Sequence, residues 1–435
     1  MNGFRDTFKI PDLRKRILFT LALLSVYRLG CYVPVPGVDG QALQQFFAGL
    51  PNTLFGIADL FAGGAFSNMT IFGLGIMPYI SVSIILELLA SLIPFFRNLL
   101  RGGGAEGRRK LTRYTRYGTV GLCLFQAAAI AAWLSNPANF NEVAVVRNPG
   151  ILFTVTTIIT LTTGTVFLMW LGEQITEKGI GNGISLIITA GILSRMPVAV
   201  HYVTMMLKDG SLNLFTVVLL IPLMVAVVAA AILLNESERR IPVQYAKRVV
   251  GRRVYGGQST YLPIKLNQGG VIPLIFALAI LQFPATVMHF SNSRVVQKVA
   301  EALSPTSPTG MLLYAALTVF FCYFYAALIF NPDNIADDLK KYGGFVAGIR
   351  PGKPTAAYLE RILNRLTLPG SLMLAAIALM PYFLHRYIRN YLVSSEFGGI
   401  GLLIVVSVLI ETIRQIEAHL LVRHYEGFIR KARVR

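Results

Sequence analysis

Long apolar stretches alternate with shorter polar or basic segments along almost the whole chain. Each stretch is about 17 to 25 residues long, the length that an α-helix needs to cross the hydrocarbon core of a bilayer. The pattern predicts ten membrane-spanning helices, at about residues 17–33, 71–94, 114–134, 150–171, 184–203, 213–234, 268–289, 311–330, 368–385 and 399–421. The predicted fold class is therefore an all-α polytopic membrane protein.

The composition agrees with this prediction. Of the 435 residues, 54% are hydrophobic and only 14% are charged, whereas soluble domains carry about 25% charged residues. The three cysteines, Cys31, Cys123 and Cys322, lie in apolar stretches at spacings that fit neither a disulfide framework nor a zinc site. We expect them to be packing or lipid-facing residues.

The basic residues predict the orientation of the chain. Lys and Arg number 40 against 21 Asp and Glu, and most of them lie in the N-terminal tail, in alternate loops and after Arg414. Because Lys and Arg are enriched on the cytoplasmic side, both termini are predicted to be cytoplasmic. The longest basic loops, 235–267 and 331–367, leave two interpretations open: solvated loops near anionic lipid, or protruding surfaces that bind a polyanion such as RNA.

The span count suggests two halves. An N-terminal half, residues 1–205, would hold spans 1–5, and a C-terminal half, residues 206–435, would hold spans 6–10 and both long basic loops. The halves would enter the membrane from opposite sides, as inverted repeats do, and such repeats hold the functional site at their interface. This expectation rests on the span count alone.

The stretch "LFAGGAFSNMTIFGLGIMPYISVS" at 60–83 is apolar but interrupted by glycines and a proline. Residues 55–66 could form a helix too short to cross the membrane, and Gly63 and Gly64 allow the backbone to bend. Irregular backbone at membrane depth is tolerated only inside protein or beside a water-filled cavity. We therefore predict a re-entrant segment, with the helix resuming around Thr70. The alternative is an ordinary extracytoplasmic loop.

Catalytic patterns are missing from the sequence. No Walker A motif, histidine pair at metal-ligand spacing or Ser-His-Asp arrangement is found, so we expect no enzyme activity, cofactor or metal site. A secondary transporter of a small solute is the alternative function, because transporters also use inverted repeats and broken helices. Transporters usually carry ionisable residues at the midplane. Here the mid-span charges are few, chiefly Arg28 and Glu87.

Several long motifs resemble the SecY family of bacterial protein-conducting channels, and the similarity covers nearly the whole chain, from "PVPGVDG" (34–40) to "HYEGFIRKA" (424–432). The motifs are "IFGLGIMPYISVSII" (71–85), "RYTRYGT" (113–119), "FLMWLGEQITEKGIGNGIS" (167–185), "YAKRVVGRRVYGGQSTYLPIKLN" (245–267), "GVIPLIFA" (270–277) and "FVAGIRPGKPTAAYL" (345–359). The resemblance implies a gated, passive channel that moves unfolded preproteins across the cytoplasmic (inner) membrane and releases transmembrane segments sideways into lipid.

The resemblance also implies an hourglass pore closed at its waist by a ring of aliphatic side chains. By motif position the ring residues are Ile76, Ile80, Ile184, Ile188, Ile275 and Ile404. Such a constriction excludes ions by dewetting and offers no polar partner to the passing chain. The re-entrant segment, about 55–70, corresponds to the family's plug, whose implied residues are Leu60, Phe61, Gly63, Gly64, Phe66 and Ser67.

The family's lateral gate and docking sites can be carried over in the same way. The implied gate residues are Ser81, Ser83, Glu87, Asn267 and Gln268. Glu87 departs from the glutamine expected there, and an unpaired mid-membrane carboxylate costs on the order of 3 kcal/mol. The implied docking residues are Arg252, Arg253 and Arg350. The implied partners are the small membrane subunits SecE and SecG, the SecA motor ATPase, the ribosome with its RNA, preproteins with signal sequences, and membrane lipid.

Overall fold

The computed structural model describes residues 10–40, 42–43, 46, 59, 61–101, 104–140, 145–245, 248–250, 253–255, 259–288, 302–303, 307–388, 393–394 and 399–433. Most of this chain is helical. In chain order the helices are α1 (Pro11–Gly30), α2 (Met77–Leu92), α3 (Pro94–Arg101), α4 (Gly104–Ser135), α5 (Ile151–Lys178), α6 (Gly183–Lys208), α7 (Leu214–Glu236), α8 (Ile272–Met288), α9 (Pro308–Ile329), α10 (Pro332–Lys341), α11 (Lys353–Ile388) and α12 (Ile400–Arg433), with a 3₁₀ turn at Pro137–Phe140.

Each of the ten predicted spans coincides with one of these helices. Among the described residues, six helical segments are long and apolar enough to cross a membrane, and they fall on α4, α5, α6, α7, α9 and α11. This confirms an all-α polytopic membrane protein. The full count of ten crossings stays a prediction, because α1, α2, α8 and α12 coincide with predicted spans but are not among these six.

The second predicted span begins later than the sequence pattern indicated. Residues 71–76 form turns, and α2 begins only at Met77, with Pro78 in its first turn. Proline fits the start of a helix because it has no backbone N–H, and the first N–H groups of a helix lack partners in any case. The prediction that the helix resumes around Thr70 was therefore wrong by about two turns.

The first of two compact units comprises residues 1–221 and 384–435. In it α4 packs along α5, α5 packs along α6, and α6 contacts α12. Glycines allow close approach: a Cβ on Gly183 would lie 2.0 Å from the Gly172 carbonyl oxygen. One apolar cluster of this unit is formed by Val35, Leu43, Met69, Ala127, Leu134, Phe140, Val145, Val146, Phe153 and Leu161.

The second unit comprises residues 222–383 and contains the strands. They are β1 (Glu238–Tyr245), β2 (Arg248–Val250), β3 (Arg253–Tyr255), β4 (Ser259–Lys265) and β5 (Gly344–Val346). β1 pairs antiparallel with β4 and with β5 in a sheet of order β4-β1-β5, and β2 pairs with β3 as a separate hairpin. The sheet therefore joins the two long basic loops, which the sequence analysis had treated separately and without strands.

The sheet has its own core, which anchors it to the membrane helices. Ile241 and Ile264 are buried on neighbouring strands, and their cluster includes Phe330 after α9 and Leu359 and Leu363 of α11. A strand buries alternate residues on one face, and β1 follows this rule with Ile241 and Val243 buried. The loop at 331–367 also contains α10 and the first turns of α11, so both basic loops are largely ordered structure.

Candidate functional site

The interrupted segment before α2 is a compact turn held by its own polar groups. Oδ1 of Asp59 accepts hydrogen bonds from the backbone N–H of Phe66 at 3.1 Å and of Ser67 at 2.9 Å. The Gly64 carbonyl accepts from the side chains of Ser67 and Asn68. These contacts satisfy backbone groups that would otherwise be unpaired in an apolar setting. The predicted plug residue Leu60 and residues 51–58 lie outside the described part of the chain.

This turn packs against α1 and α6. The Tyr27 hydroxyl donates to the Ala62 carbonyl at 3.4 Å, and Nη1 of Arg28 donates to the Gly63 carbonyl at 3.0 Å. Gly63 has a φ of +65° and lies against Gly191 of α6. Phe61, Phe66 and Gly63 are buried, while Gly64 and Ser67 are half-buried. The described part of the segment, Asp59 and residues 61–70, is therefore docked within the first unit, while the re-entrant placement and its alternative, an ordinary extracytoplasmic loop, stay predictions.

An ion pair completes this docking. Nη1 of Arg195 on α6 lies 2.9 Å from Oδ2 of Asp59, and the two side chains are 15% and 7% exposed. Arg28 and Glu87 were the chief mid-span charges expected from the sequence, and this pair was missed. The sequence contained a sign of this pair, because Asp59 and Arg195 each lie alone in an apolar stretch. A buried carboxylate and a buried guanidinium are expected to pair with each other.

Five of the six predicted ring residues belong to the first unit. Ile76, Ile188 and Ile404 are buried, with 1%, 4% and 2% exposure. Ile80 and Ile184 are half-buried. Ile76 is the N-cap of α2, and its carbonyl accepts from the Ile80 N–H, so both lie at the start of that helix. The sixth residue, Ile275, is half-buried on α8 of the second unit.

A capped turn fixes the start of α6, where Ile184 and Ile188 lie. Oδ1 of Asn182 accepts from the backbone N–H groups of Ile184 and Ser185, the usual arrangement at a helix N-cap. The N–H of Gly181 donates to Oε1 of Gln415 on α12 at 3.0 Å. The loop between α5 and α6 is therefore anchored to α12, the helix that carries Ile404.

The predicted gate residues lie on two separate elements. Ser81, Ser83 and Glu87 are half-buried on α2, and Glu87 makes an interaction within the protein. In the second unit Asn267 is buried and its Nδ2 donates to the Gly270 carbonyl at 2.8 Å, while Gln268 is half-buried. Asn267 thus holds the turn that precedes α8.

The predicted docking residues differ in how far the structure describes them. Arg350 is exposed between β5 and α11, and its carbonyl accepts from the Thr355 hydroxyl at 2.8 Å. Arg253 lies on β3, and Arg252 lies outside the described residues. At the base of the sheet, Arg240 donates to Glu238 and stacks on the Tyr261 ring at 4.8 Å. The hydrogen bond that Arg240 donates to Glu238 raises the pKa of the Arg240 guanidinium.

Comparison with known proteins identifies the family. The SecY family model matches residues 70–413. The chain belongs to the SecY family. A Thermus thermophilus relative is 43% identical over 436 residues, covering 100% of this chain and 99% of its own. A Streptomyces lividans relative is 46% identical over 442 residues, covering 99% of this chain and 100% of its own. Both are named protein translocase subunit SecY.

Solved structures of the SecY type share the fold. One, described as showing that the plug domain of the SecY protein stabilises the closed state, has a TM-score of 0.65 at 19% identity and covers 93% of this chain and 91% of its own. Sec61 in the canine ribosome-channel complex has a TM-score of 0.60 at 18% identity, with the same coverage. At this identity the match supports the SecY fold for this chain, and the residue roles above stay predictions.

Proposed function

We propose that this chain is the channel-forming subunit of a protein translocase, a passive gated pore for unfolded preproteins. Membership of the SecY family over nearly the full length is the observation that carries this proposal. The docked turn before α2 supports it, because a channel at rest needs a stopper that keeps the membrane sealed. The alternative, a secondary transporter of a small solute, is not supported by the comparisons.

In this proposal Ile76, Ile80, Ile184, Ile188, Ile275 and Ile404 form the constriction, which seals by excluding water. The predicted topology makes α6 and α12 antiparallel. A Cβ on Gly181 would lie 3.2 Å from Oγ1 of Thr412, so these two residues mark the same depth. Counted at about 1.5 Å per residue, Ile188 and Ile404 lie at similar distances beyond that point. This agreement in depth supports their assignment to one ring.

The plug, about residues 55–70, would move aside when a preprotein opens the channel. Its internal hydrogen bonds allow it to move as one body, because Asp59, Gly64, Ser67 and Asn68 satisfy one another. A lateral gate with Ser81, Ser83 and Glu87 of α2 and with Asn267 and Gln268 of the turn before α8 would release apolar segments into lipid.

The cytoplasmic partners would dock on the joined basic loops. Sec61 and the yeast Ssh1 complex are found on ribosomes in solved structures that share this fold, and we propose a ribosome site here as well. Arg252, Arg253 and Arg350 would contact ribosomal RNA or the SecA motor, since guanidinium groups pair bidentately with phosphate and carboxylate. SecE and SecG would complete the complex in the inner membrane, with both termini of this chain in the cytoplasm.

Reconstitution tests the function. Vesicles containing this chain with SecE and SecG are supplied with SecA, ATP and a labelled preprotein, and external protease is then added. We expect a protected, full-length preprotein only when this chain, SecA and ATP are all present. Equal protection in vesicles that lack this chain would overturn the proposal.

A further inference from the structure

The ion pair between Asp59 and Arg195 joins the docked turn to α6 of the first unit. Both carboxylate oxygens are used: Oδ2 pairs with Arg195 at 2.9 Å, and Oδ1 accepts from the N–H groups of Phe66 and Ser67. One side chain thus holds the two ends of the turn together and fixes that turn to α6.

We propose that Asp59 and Arg195 form a latch that keeps the plug docked and sets how readily the channel opens. This inference rests on the proposed function, in which residues 55–70 are the plug. Asp59 and Arg195 are positioning residues: they act on the seal by holding the turn in place, and they do not contact the passing chain.

Because the pair is buried, losing one of its two charges should destabilise the docked plug. A charge that loses its partner in a buried site is strongly unfavourable, whereas removing both charges together is close to neutral. The docked plug is therefore more stable with both charges present, or with both removed, than with one charge left alone. Undocking separates the pair, so the contact opposes movement of the turn away from α6.

Arg28 also contacts the turn, but its partners are a neutral carbonyl and an aromatic ring and not a carboxylate. Its Nη1 donates to the Gly63 carbonyl at 3.0 Å, and its guanidinium lies 4.7 Å from the ring centre of Tyr32. Losing Arg28 leaves a neutral carbonyl without one donor, which costs less than leaving a buried carboxylate without its cation. This difference separates the latch from general packing of the turn and provides a control.

The main variant is Asp59→Asn, which keeps an oxygen acceptor for Phe66 and Ser67 but removes the charge opposite Arg195. Arg195→Gln removes the other charge, and the double variant D59N/R195Q leaves a neutral pair of similar size. Each single variant is expected to raise the resting ion conductance of the reconstituted channel by at least about tenfold. Breaking a buried ion pair destabilises the docked plug by more than the roughly 1.4 kcal/mol that a tenfold change in the equilibrium between docked and undocked plug requires. The double variant is expected to return to within about threefold of the unmodified channel.

A second measurement follows the plug itself. Ser67→Cys places a thiol on the half-buried face of the turn, while the native Cys31, Cys123 and Cys322 are buried. The rate of maleimide labelling should rise in each single variant and fall back in the double variant. Arg28→Gln is the control: combining it with Asp59→Asn should not restore either signal. Thermal unfolding of each purified protein shows whether it is folded, and if Arg195→Gln does not accumulate, Asp59→Asn alone decides the outcome.

Three results are distinguishable. Rescue by the double variant supports the latch. Conductance and labelling that stay at the unmodified level in Asp59→Asn, or a double variant no better than the singles, would overturn the latch. The seal is tested separately by Ile76→Ser and Ile188→Ser: if these raise conductance while Asp59→Asn does not, the seal stands and only the latch is rejected. If none of them does, the latch and the seal by these two isoleucines are both rejected, and the protease-protection experiment decides the function itself.

Discussion

Gly63 in the docked turn lies directly against Gly191 of α6: a Cβ on Gly63 would be 2.7 Å from the Gly191 Cα and 3.0 Å from the Tyr27 hydroxyl. Two backbones approach this closely only where neither carries a side chain. The neighbouring Gly64 also has a positive φ, of +87°, but a Cβ there would meet nothing within 4 Å. Gly63 is therefore required both by its close contact with α6 and by its positive φ, whereas Gly64 is required by its positive φ alone.

Gly63→Ala is expected to displace the turn and raise the resting conductance, whereas Gly64→Ala should have a smaller effect. Both substitutions put alanine in a left-handed conformation, at a cost of about 1–2 kcal/mol. Only Gly63→Ala adds overpacking, worth about 1–3 kcal/mol, so its conductance should exceed that of Gly64→Ala by at least about fivefold. Planar-bilayer recording measures both. Equal effects would mean that the close contact between Gly63 and Gly191 does not position the turn.

The proposed constriction can be tested on four of its isoleucines in the first unit, of which Ile76 and Ile188 are buried and Ile80 and Ile184 are half-buried. Replacing Ile76, Ile80, Ile184 and Ile188 together with serine should let water enter and raise resting ion conductance several-fold, since a dewetted gate depends on apolar side chains. Ile159→Ser is the control, because Ile159 is 59% exposed on α5. Conductance unchanged from the unmodified channel would remove these residues from the seal.

The spans could be located from the sequence because their signal is local: each apolar stretch fixes its own helix, and all ten predicted spans coincide with helices. The start of α2 was placed too early because turns at 71–76 are as apolar as a helix. Their shape depends on contacts with other segments, such as the Ile71 N–H bound to the Val33 carbonyl. Hydropathy does not contain this information.

The sheet and the ion pair were missed for a related reason. β1 pairs with β5 across about a hundred residues, with Val243 opposite Val346, and β5 is only three residues long. Asp59 and Arg195 are separated by 136 positions. Neither the pairing of β1 with β5 nor the Asp59–Arg195 pair produces a repeating pattern of hydrophobic and polar residues in the sequence. The candidate ring, gate and docking residues came from the family resemblance, and their roles stay predictions.

The joined basic loops should lose their structure together when the sheet core is weakened. Ile264 on β4 is fully buried, and Ile264→Ala should cost about 2–5 kcal/mol by leaving a cavity. We expect faster proteolysis at both 235–267 and 331–367, with the membrane helices unaffected. Thr260→Ala, at an exposed position of the same strand, is the control. Faster cleavage in the first loop alone would show that the loops are not coupled through the sheet.

Arg350 provides the sharpest test of motor docking. It is exposed between β5 and α11, and its side chain is not needed for the hydrogen bond that its carbonyl accepts from Thr355. If Arg350 binds the motor as proposed, Arg350→Glu should leave assembly with SecE and SecG intact while lowering SecA-driven transport by about tenfold or more, because reversing a charge at the proposed docking surface replaces attraction with repulsion. Lys353→Glu makes the same charge change at a nearby exposed position and should have a weaker effect. Assembly is measured by co-purification and transport by protease protection. If both fall equally in Arg350→Glu, this residue supports the fold of the loop and does not bind the motor.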